Sequence, residues 1–142
     1  MSVKFTDNSA QVLKALEKAK HNALIAIGMT AETNAKRDAD MPVDTGYARN
    51  SITYAVAGGE AGTSSYRADR AKGGNQPTKS GSYSGTMEGE KDEFVAIGSN
   101  VPYFPVIELG GQSRKAHHIL RKAAADHSAQ YKQLAKDAFE NA

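Results

Sequence analysis

The sequence predicts an α+β domain in which a long N-terminal helix and a C-terminal helix pack on a small antiparallel sheet. Apolar residues recur at three- and four-residue steps over residues 8–40 and again over residues 118–139, as they do on one face of a helix. Two short segments between them, at residues 52–56 and 94–98, have the apolar patterns of strands. A chain of 142 residues fits one domain, so residues 1–142 are expected to share one core.

The first helix is predicted to end near Asp40, because Pro42 disfavours helical geometry at the residue before it. Three residues can each supply an oxygen that caps its first turn: Thr6, Asp7 and Ser9. Gly28 is expected inside this helix, at a cost of about 1 kcal/mol relative to alanine. Close packing of another backbone would explain a glycine there.

A tight corner is predicted between the first helix and the first strand. Asp44 or Thr45 can cap a short helical turn here, and Gly46 supplies a backbone that tolerates unusual angles. Asp44-Thr45-Gly46 is also the triplet of aspartic proteases, but that chemistry needs a second carboxylate to share a proton. A cap and a turn are therefore the favoured interpretation.

A second turn is predicted after the second strand. It starts at Asn100, has Pro102 early in the turn and closes at Gly110. Glu108 in this turn has no nucleophile beside it in the sequence, so we expect its carboxylate to satisfy backbone donors or an arginine such as Arg49. Tyr103 is expected to pack.

Residues 58–93 are rich in glycine and serine and are predicted to form a long flexible excursion between the two strands. We expect the segment to contribute little to the core. It contains a local excess of cations, with two tyrosines interleaved: Arg67, Arg70, Lys72 and Lys79, with Tyr66 and Tyr83. Contact with DNA, docking on a neighbouring protein and a plain linker all remain open for it.

The composition limits the chemistry. No cysteine is present, which excludes disulfides, thiolate nucleophiles and cysteine-based metal sites. The net charge of +2 is too small to indicate wholesale nucleic-acid binding. The longest apolar run, residues 23–29, is too short to span a bilayer, and the N-terminus has no signal-peptide pattern. With 23 alanines and no tryptophan, the chain is expected to gain stability by burying area against copies of itself.

Histidines and cations cluster before the last helix. Zinc binding by His117, His118 and His127 is disfavoured by their spacing, so no metal or cofactor is expected. Four cations gather where no acidic residue is near in sequence: Arg114, Lys115, Arg121 and Lys122. Because cations are disfavoured at a helix start, an acidic patch of a neighbouring subunit, such as residues 88–93, or phosphates would compensate them. A solvated face is the alternative.

Two segments together resemble the head-to-tail joining proteins of tailed bacteriophages, also described as neck or tail-completion proteins and as minor capsid or tail components. The first motif is residues 42–52, PVDTGYARNSI, and the second is residues 101–110, VPYFPVIELG. The order of the motifs between two helices also matches. The structural motif positions are Asp44, Thr45, Gly46, Arg49, Ser51, Pro102, Tyr103, Glu108 and Gly110. The family usually has a larger aliphatic residue in place of Ala48, and often an aromatic-Leu-x-Pro-Ala run before the last helix.

The resemblance implies a structural virion protein rather than an enzyme. It implies a homo-oligomeric ring, with six or twelve subunits expected, at the interface of head and tail. The partners would be adjacent connector and tail proteins, with DNA passing through the channel and no membrane or small-molecule substrate. The resemblance also implies that the protein is made in the cytoplasm of a bacterial host. The alternatives are a DNA-binding module, and a hydrolase that uses Asp44 or Glu108.

Overall fold

The computed structural model describes residues 6–59, 62–71 and 78–141. In chain order its elements are α1 (Ser9–Lys36), α2 (Tyr47–Asn50), β1 (Thr53–Val56), β2 (Gly62–Arg67), β3 (Ser80–Gly85), β4 (Val95–Gly98), α3 (Phe104–Leu109), α4 (Ile119–Ala125) and α5 (Ser128–Glu140). Long helices at both ends enclose small antiparallel strand pairs, which confirms the predicted α+β class. Within the described ranges, no helix is both long and apolar enough to cross a bilayer.

α1 begins as the sequence predicted and ends earlier. The N-cap is Asn8, whose side chain makes no capping hydrogen bond. Of the three predicted capping residues, Asp7 accepts a hydrogen bond of 2.9 Å from the Ser9 N–H beside the helix start. The helix ends at Lys36 instead of near Asp40, because the Asp38 carboxylate accepts the Asp40 N–H at 2.8 Å and holds a non-helical turn. The early end leaves both carboxylates of this turn able to contact another element.

The β1–β4 ribbon packs against the middle of α1. Its strands are antiparallel, with Tyr54 opposite Ile97 and Val56 opposite Val95. A Cβ atom at Gly28 of α1 would lie 2.6 Å from Cδ2 of Tyr54 and 2.8 Å from Cγ2 of Val95. Side chains of the ribbon, and not another backbone as expected from the sequence, therefore require glycine at this position.

The β2–β3 hairpin lies within the glycine- and serine-rich residues 58–93. Its strands pair antiparallel, with Tyr66 opposite Gly81. Ala68, directly after β2, is buried at 4% exposure, and Tyr66 packs against the main core. The expectation that this segment contributes almost nothing to the core is therefore wrong. Strands composed largely of glycine, serine, threonine and tyrosine thus formed with little apolar content.

The C-terminal helix predicted over residues 118–139 is interrupted. α4 and α5 are separate helices, and the backbone of His127 between them has φ −119° and ψ 27°, outside helical geometry. The break lets α5 lie along α1, where the Asn34 amide donates to Oε1 of Gln130 at 3.0 Å and to the Tyr131 hydroxyl at 3.1 Å. The Tyr131 hydroxyl donates to the Ala123 carbonyl and closes the break.

The main core lies where α1, α2, α3 and α4 meet. Its most deeply buried side chains include Ile52 and Ile119, at 1% and 0% exposure. The buried members of the core are Ala35, Met41, Tyr47, Ala48, Ile52, Ala68, Val101, Phe104, Ile119 and Ala123. Both motif segments contribute to this set, so the corner that they form rests directly on the core.

Candidate functional site

The two motif segments line one groove of about 910 Å³. The first motif contributes Thr45, Gly46 and Tyr47, and the second contributes Tyr103, Val106 and Ile107. Segments that are far apart in sequence thus meet at one surface. The groove is a candidate binding site, because it joins an apolar floor to charged side chains.

The corner of the first motif turns at Gly46. Its φ of +85° is rarely adopted by other residues, and a side chain there would collide with the Asp69 carboxylate, so the predicted need for glycine is confirmed. The N-cap of α2 is Gly46, which has no side chain that could cap the helix. Thr45 instead accepts a long hydrogen bond of 3.3 Å from the Tyr47 N–H.

Residues just after β2 fasten the hairpin to this corner. The Asp69 N–H donates to the Thr45 carbonyl at 2.7 Å. The Asn50 amide donates to the Arg67 carbonyl at 2.7 Å and to Oδ1 of Asp69 at 2.9 Å. Arg49 forms an ion pair with Asp69. The suggestion that Arg49 pairs with Glu108 of the second motif is therefore wrong. The predicted motif residue Ser51 is buried and donates to the Ala48 carbonyl at 2.6 Å.

A second set of contacts joins the hairpin to the start of the second motif. The Tyr66 hydroxyl donates to Oδ1 of Asn100 at 2.5 Å, and the Asn100 amide donates to the Ser82 carbonyl at 2.9 Å. Burial first, and then the hydrogen bond with Tyr47, raises the pKa of Tyr66 above its ordinary value. Burial also raises the pKa of Tyr103. Both phenols are therefore neutral hydrogen-bonding groups at neutral pH.

The turn of the second motif begins later than predicted. α3 follows Tyr103 and not Asn100, so Pro105 rather than Pro102 occupies its first turn. Gly110 closes the helix with φ +80°, as expected. Asn100 is instead used to bind the hairpin, which explains why the helical turn starts further along.

Glu108 caps the start of α4 from another helix. Its two carboxylate oxygens accept the Leu120 N–H at 2.9 Å and the Arg121 N–H at 3.0 Å. The expected role of satisfying backbone donors is thus confirmed. A carboxylate at this position stabilises the exposed N–H groups and the positive end of the helix.

Lys122 is paired within its own chain. Its ammonium nitrogen lies 3.1 Å from Oδ2 of Asp38 and 2.9 Å from Oδ2 of Asp40, in the turn that ends α1. The hydrogen bond to Asp40 raises the pKa of Lys122 and lowers that of Asp40. The expectation that nothing in the chain relieves this cation is wrong, because its partners lie about eighty residues earlier in sequence.

The remaining predicted contact cations divide between the groove and the outer surface. Four of them line the groove: Arg70, Lys79, Arg114 and Lys115. Arg67 lies on the outer face of the hairpin, Arg121 is exposed on α4, and Lys72 lies outside the described residues. The sequence therefore identified most of the groove cations but not their common location.

Two groove cations are held in place by their neighbours. Nζ of Lys79 lies 4.4 Å from the ring centroid of Tyr47 and 5.9 Å from that of Tyr103, within cation–π range. Nε of Arg70 donates to the Asp44 carbonyl at 2.5 Å. Arg114 and Lys115 are exposed, and neither forms an ion pair with a carboxylate in the described part of the chain.

The groove offers binding groups rather than a recognisable catalytic set. Asp44 is the one carboxylate in its described lining, so the second carboxylate of an aspartic-protease pair is not found there. His117 lines the groove, and its buried Nδ1 has no hydrogen-bond partner among the residues that the structure describes. No group of three metal-ligating side chains comes together among the residues with described positions, so the histidines do not converge on a metal site.

A hydrogen bond between α1 and the turn before β4 was not predicted from the sequence. Nδ1 of His21 lies 2.7 Å from Oδ1 of Asp92, which is buried and has φ +57°. The residues are 71 positions apart, and a single histidine or aspartate carries no local signal of such a contact. The pair anchors the turn at residues 88–93 to α1.

A second surface consists of large aliphatic side chains on the first turns of α1. Val12, Leu13 and Leu16 are 54%, 60% and 46% exposed. They continue the helix face that carries the buried Ala19 and Ala23 further along. The described part of the chain does not cover this end of the face.

No protein-family model, curated protein or solved structure matches the chain. The resemblance to head-to-tail joining proteins therefore rests on the two motif segments. In the structure those segments have a shared physical role, because they build the walls of one groove.

Proposed function

We propose that the chain is a structural subunit of a tailed-phage virion that forms a ring at the neck and joins the DNA-filled head to the tail. One observation carries the proposal. The two segments that resemble head-to-tail joining proteins fold into a single corner on the core and line one groove. The proposed mechanism is docking of subunits and neighbouring connector and tail proteins, and it needs no catalytic step.

The uncovered helix face supports self-association. In the described part of the chain, Val12, Leu13 and Leu16 are about half exposed to water. Burial of apolar surface contributes about 25 cal/mol per Å², so a second copy packed on this face would gain stability that the isolated chain lacks. A ring of six or twelve copies, as the motif resemblance suggests, would repeat that contact around its circumference.

The test is a phage derivative whose copy of this gene carries an early stop codon. The expected result is that DNA-filled heads and separate tails accumulate, because the joining subunit is missing. Supplying the chain from a plasmid should restore tailed particles, which controls for effects on neighbouring genes. Normal yields of tailed, infectious particles without the chain would contradict the proposal.

DNA binding is the second candidate, and the composition of the groove favours it. Four cations and the exposed ring of Tyr103 provide groups that bind phosphates and stack on bases. For a DNA-binding module, affinity for an oligonucleotide must fall steeply with salt, in proportion to the phosphates contacted. Arg114→Gln with Lys115→Gln should then flatten the salt dependence measured by fluorescence anisotropy. Weak binding that this double variant does not change would reject DNA binding as the main role.

A further inference from the structure

We propose that the groove of one copy receives the acidic turn at residues 88–93 of the next copy, so that subunits join head to tail. This inference rests on the self-association in the proposed function and names the two surfaces that meet. A contact between different surfaces of identical chains is directional, and it closes into a ring when the rotation between copies divides a full turn.

The groove suits an acidic segment that also carries an apolar side chain. Arg114 and Lys115 are exposed on its rim without ion-pair partners among the described residues. Beside them, Tyr103 and Val106 are 44% and 39% exposed and form an apolar floor. A partner must therefore supply both carboxylates and apolar contact to satisfy the whole surface.

The turn at residues 88–93 offers that combination. Glu88, Glu90 and Glu93 are exposed and lie next to Phe94, whose ring is 39% exposed. Duplex DNA would satisfy the cations but would leave the apolar floor uncovered. The acidic turn matches both parts of the groove, and for this reason we favour it as the occupant.

The acidic turn is held in a fixed shape before any partner arrives. Asp92 lies at its centre in the left-handed region and is bound to His21, while its N–H donates to the Ala57 carbonyl at 3.0 Å. The Gly58 N–H donates to the Met87 carbonyl at 3.0 Å at the start of the turn. A preformed turn loses little conformational entropy on binding, which favours affinity.

The two surfaces lie at opposite ends of the β1–β4 ribbon. The acidic turn leads directly into Val95, which pairs with Val56 at one end. The groove corner adjoins the other end, where Thr53 pairs with Gly98. One chain therefore cannot close its own turn on its own groove, but successive copies can make the contact in series.

Site-directed disulfide trapping tests the contact, because the chain has no cysteine of its own. A Lys115→Cys chain is mixed with a tagged Glu90→Cys chain under mild oxidation, and cross-linked pairs are measured on non-reducing gels. The matched control replaces Glu90→Cys by Glu140→Cys, an exposed glutamate at the end of α5. We expect several-fold more cross-linking with Glu90→Cys. Equal yields for both mixtures would overturn the inference.

A charge exchange provides the second arm. Arg114→Glu with Lys115→Glu in one chain, and Glu88→Lys with Glu90→Lys in another, should each weaken self-association measured by sedimentation about tenfold or more. Mixing the two variants should restore association, because the exchanged charges attract again. Circular dichroism checks that both variants are folded. Absence of rescue overturns the inference, and loss of oligonucleotide binding without rescue assigns the groove to nucleic acid instead.

Failure of this contact and failure of the neck function give different results. If the Arg114→Glu, Lys115→Glu chain restores tailed particles as well as the unchanged chain, the groove contact is wrong while the neck role stands. If phage lacking the gene already yields normal tailed particles, the neck role is wrong whatever the trapping shows.

Discussion

The β2–β3 hairpin contains few apolar side chains and is tightly fastened to the rest of the fold, whereas the first turns of α1 carry three large aliphatic side chains that the described chain leaves uncovered. In the hairpin region, Tyr66 donates a hydrogen bond to Asn100, and Asp69 contacts Arg49 and Asn50 of the motif corner. In α1, Val12 and Leu13 are more than half exposed. Polar contacts therefore hold the hairpin in place, whereas the first turns of α1 expose apolar surface that is available to a partner.

This difference separates residues that hold the subunit together from residues that are available between subunits. Hydrogen bonds are directional and need a partner in place, so the paired side chains of the hairpin belong to the folded monomer. Apolar burial is not directional, and a second chain can provide it as well as the first can. Substitutions in the two regions should therefore affect different measurements.

Removing the hairpin is expected to have the largest effect on stability. Replacing residues 62–85 by a short Gly-Ser linker deletes the buried Ala68, the packed Tyr66 and several hydrogen bonds to the corner. At about 1 kcal/mol for each hydrogen bond, the free energy of unfolding should fall by about 3 kcal/mol or more. Urea denaturation measures this free energy of unfolding. An unchanged unfolding midpoint would show that the hairpin is dispensable for stability. The contrast between the hairpin and the first turns of α1 would then be wrong.

Breaking the contact between hairpin and corner at one residue should have an intermediate effect. Asp69→Ala removes the ion pair with Arg49 and the hydrogen bond from the Asn50 amide. We expect a loss of about 1 kcal/mol, because the pair is partly exposed and screened. Glu17→Ala, at an exposed position of α1, is the control and should have almost no effect. Equal losses for both substitutions would contradict the anchoring role of Asp69.

Lys122→Gln should lower the thermal midpoint, because it breaks the contacts with Asp38 and Asp40. This is the opposite of what the unfavourable position of a cation at a helix start suggests by itself. Arg121→Gln is the matched control, because the Arg121 backbone N–H donates to Glu108, and the substitution leaves that hydrogen bond in place. A thermal midpoint equal to that of the unchanged chain would show that the ion pairs do not contribute.

The contact between Lys122 and Asp40 also predicts that the stability of the fold depends on pH. The pKa of Asp40 is lower in the folded chain than its ordinary value, so its contribution to stability is present above about pH 4 and is lost as the pH falls through the lowered pKa. The pKa of Lys122 is raised, so its contribution is present at neutral pH and is lost above about pH 10.5. Thermal melts across pH should show a smaller acid loss in Lys122→Gln than in the unchanged chain.

The smallest effect on monomer stability is expected on the first turns of α1. Leu13→Ser with Leu16→Ser should leave the thermal midpoint nearly unchanged, because both side chains already face water. The same double variant should weaken self-association, measured by sedimentation at several concentrations. Lys14→Ser, on the same turns, should change neither quantity. A clear loss of monomer stability in the leucine variant would show that this face is already covered.

The location of the long helices and the ribbon strands could be predicted from the sequence, because their apolar side chains repeat with a regular period, whereas the end of α1 and the break between α4 and α5 could not. The hairpin could not, since its strands consist largely of glycine and serine and have no apolar period. The groove was predictable only in part. The sequence identified both motifs and the cations, but the partners of Arg49 and Lys122 lie 20 and more than 80 residues away, beyond any local pattern.

The proposed ring at the junction of phage head and tail can be looked for in the virion itself. Averaged electron-microscopy images of the particle neck, with the chain labelled by a terminal tag, test it most directly. We expect tag density distributed around a closed ring on the axis between head and tail, with one copy of the chain at each symmetric position. Purified tailed particles that lack the chain, or a tag located away from the neck, would contradict it.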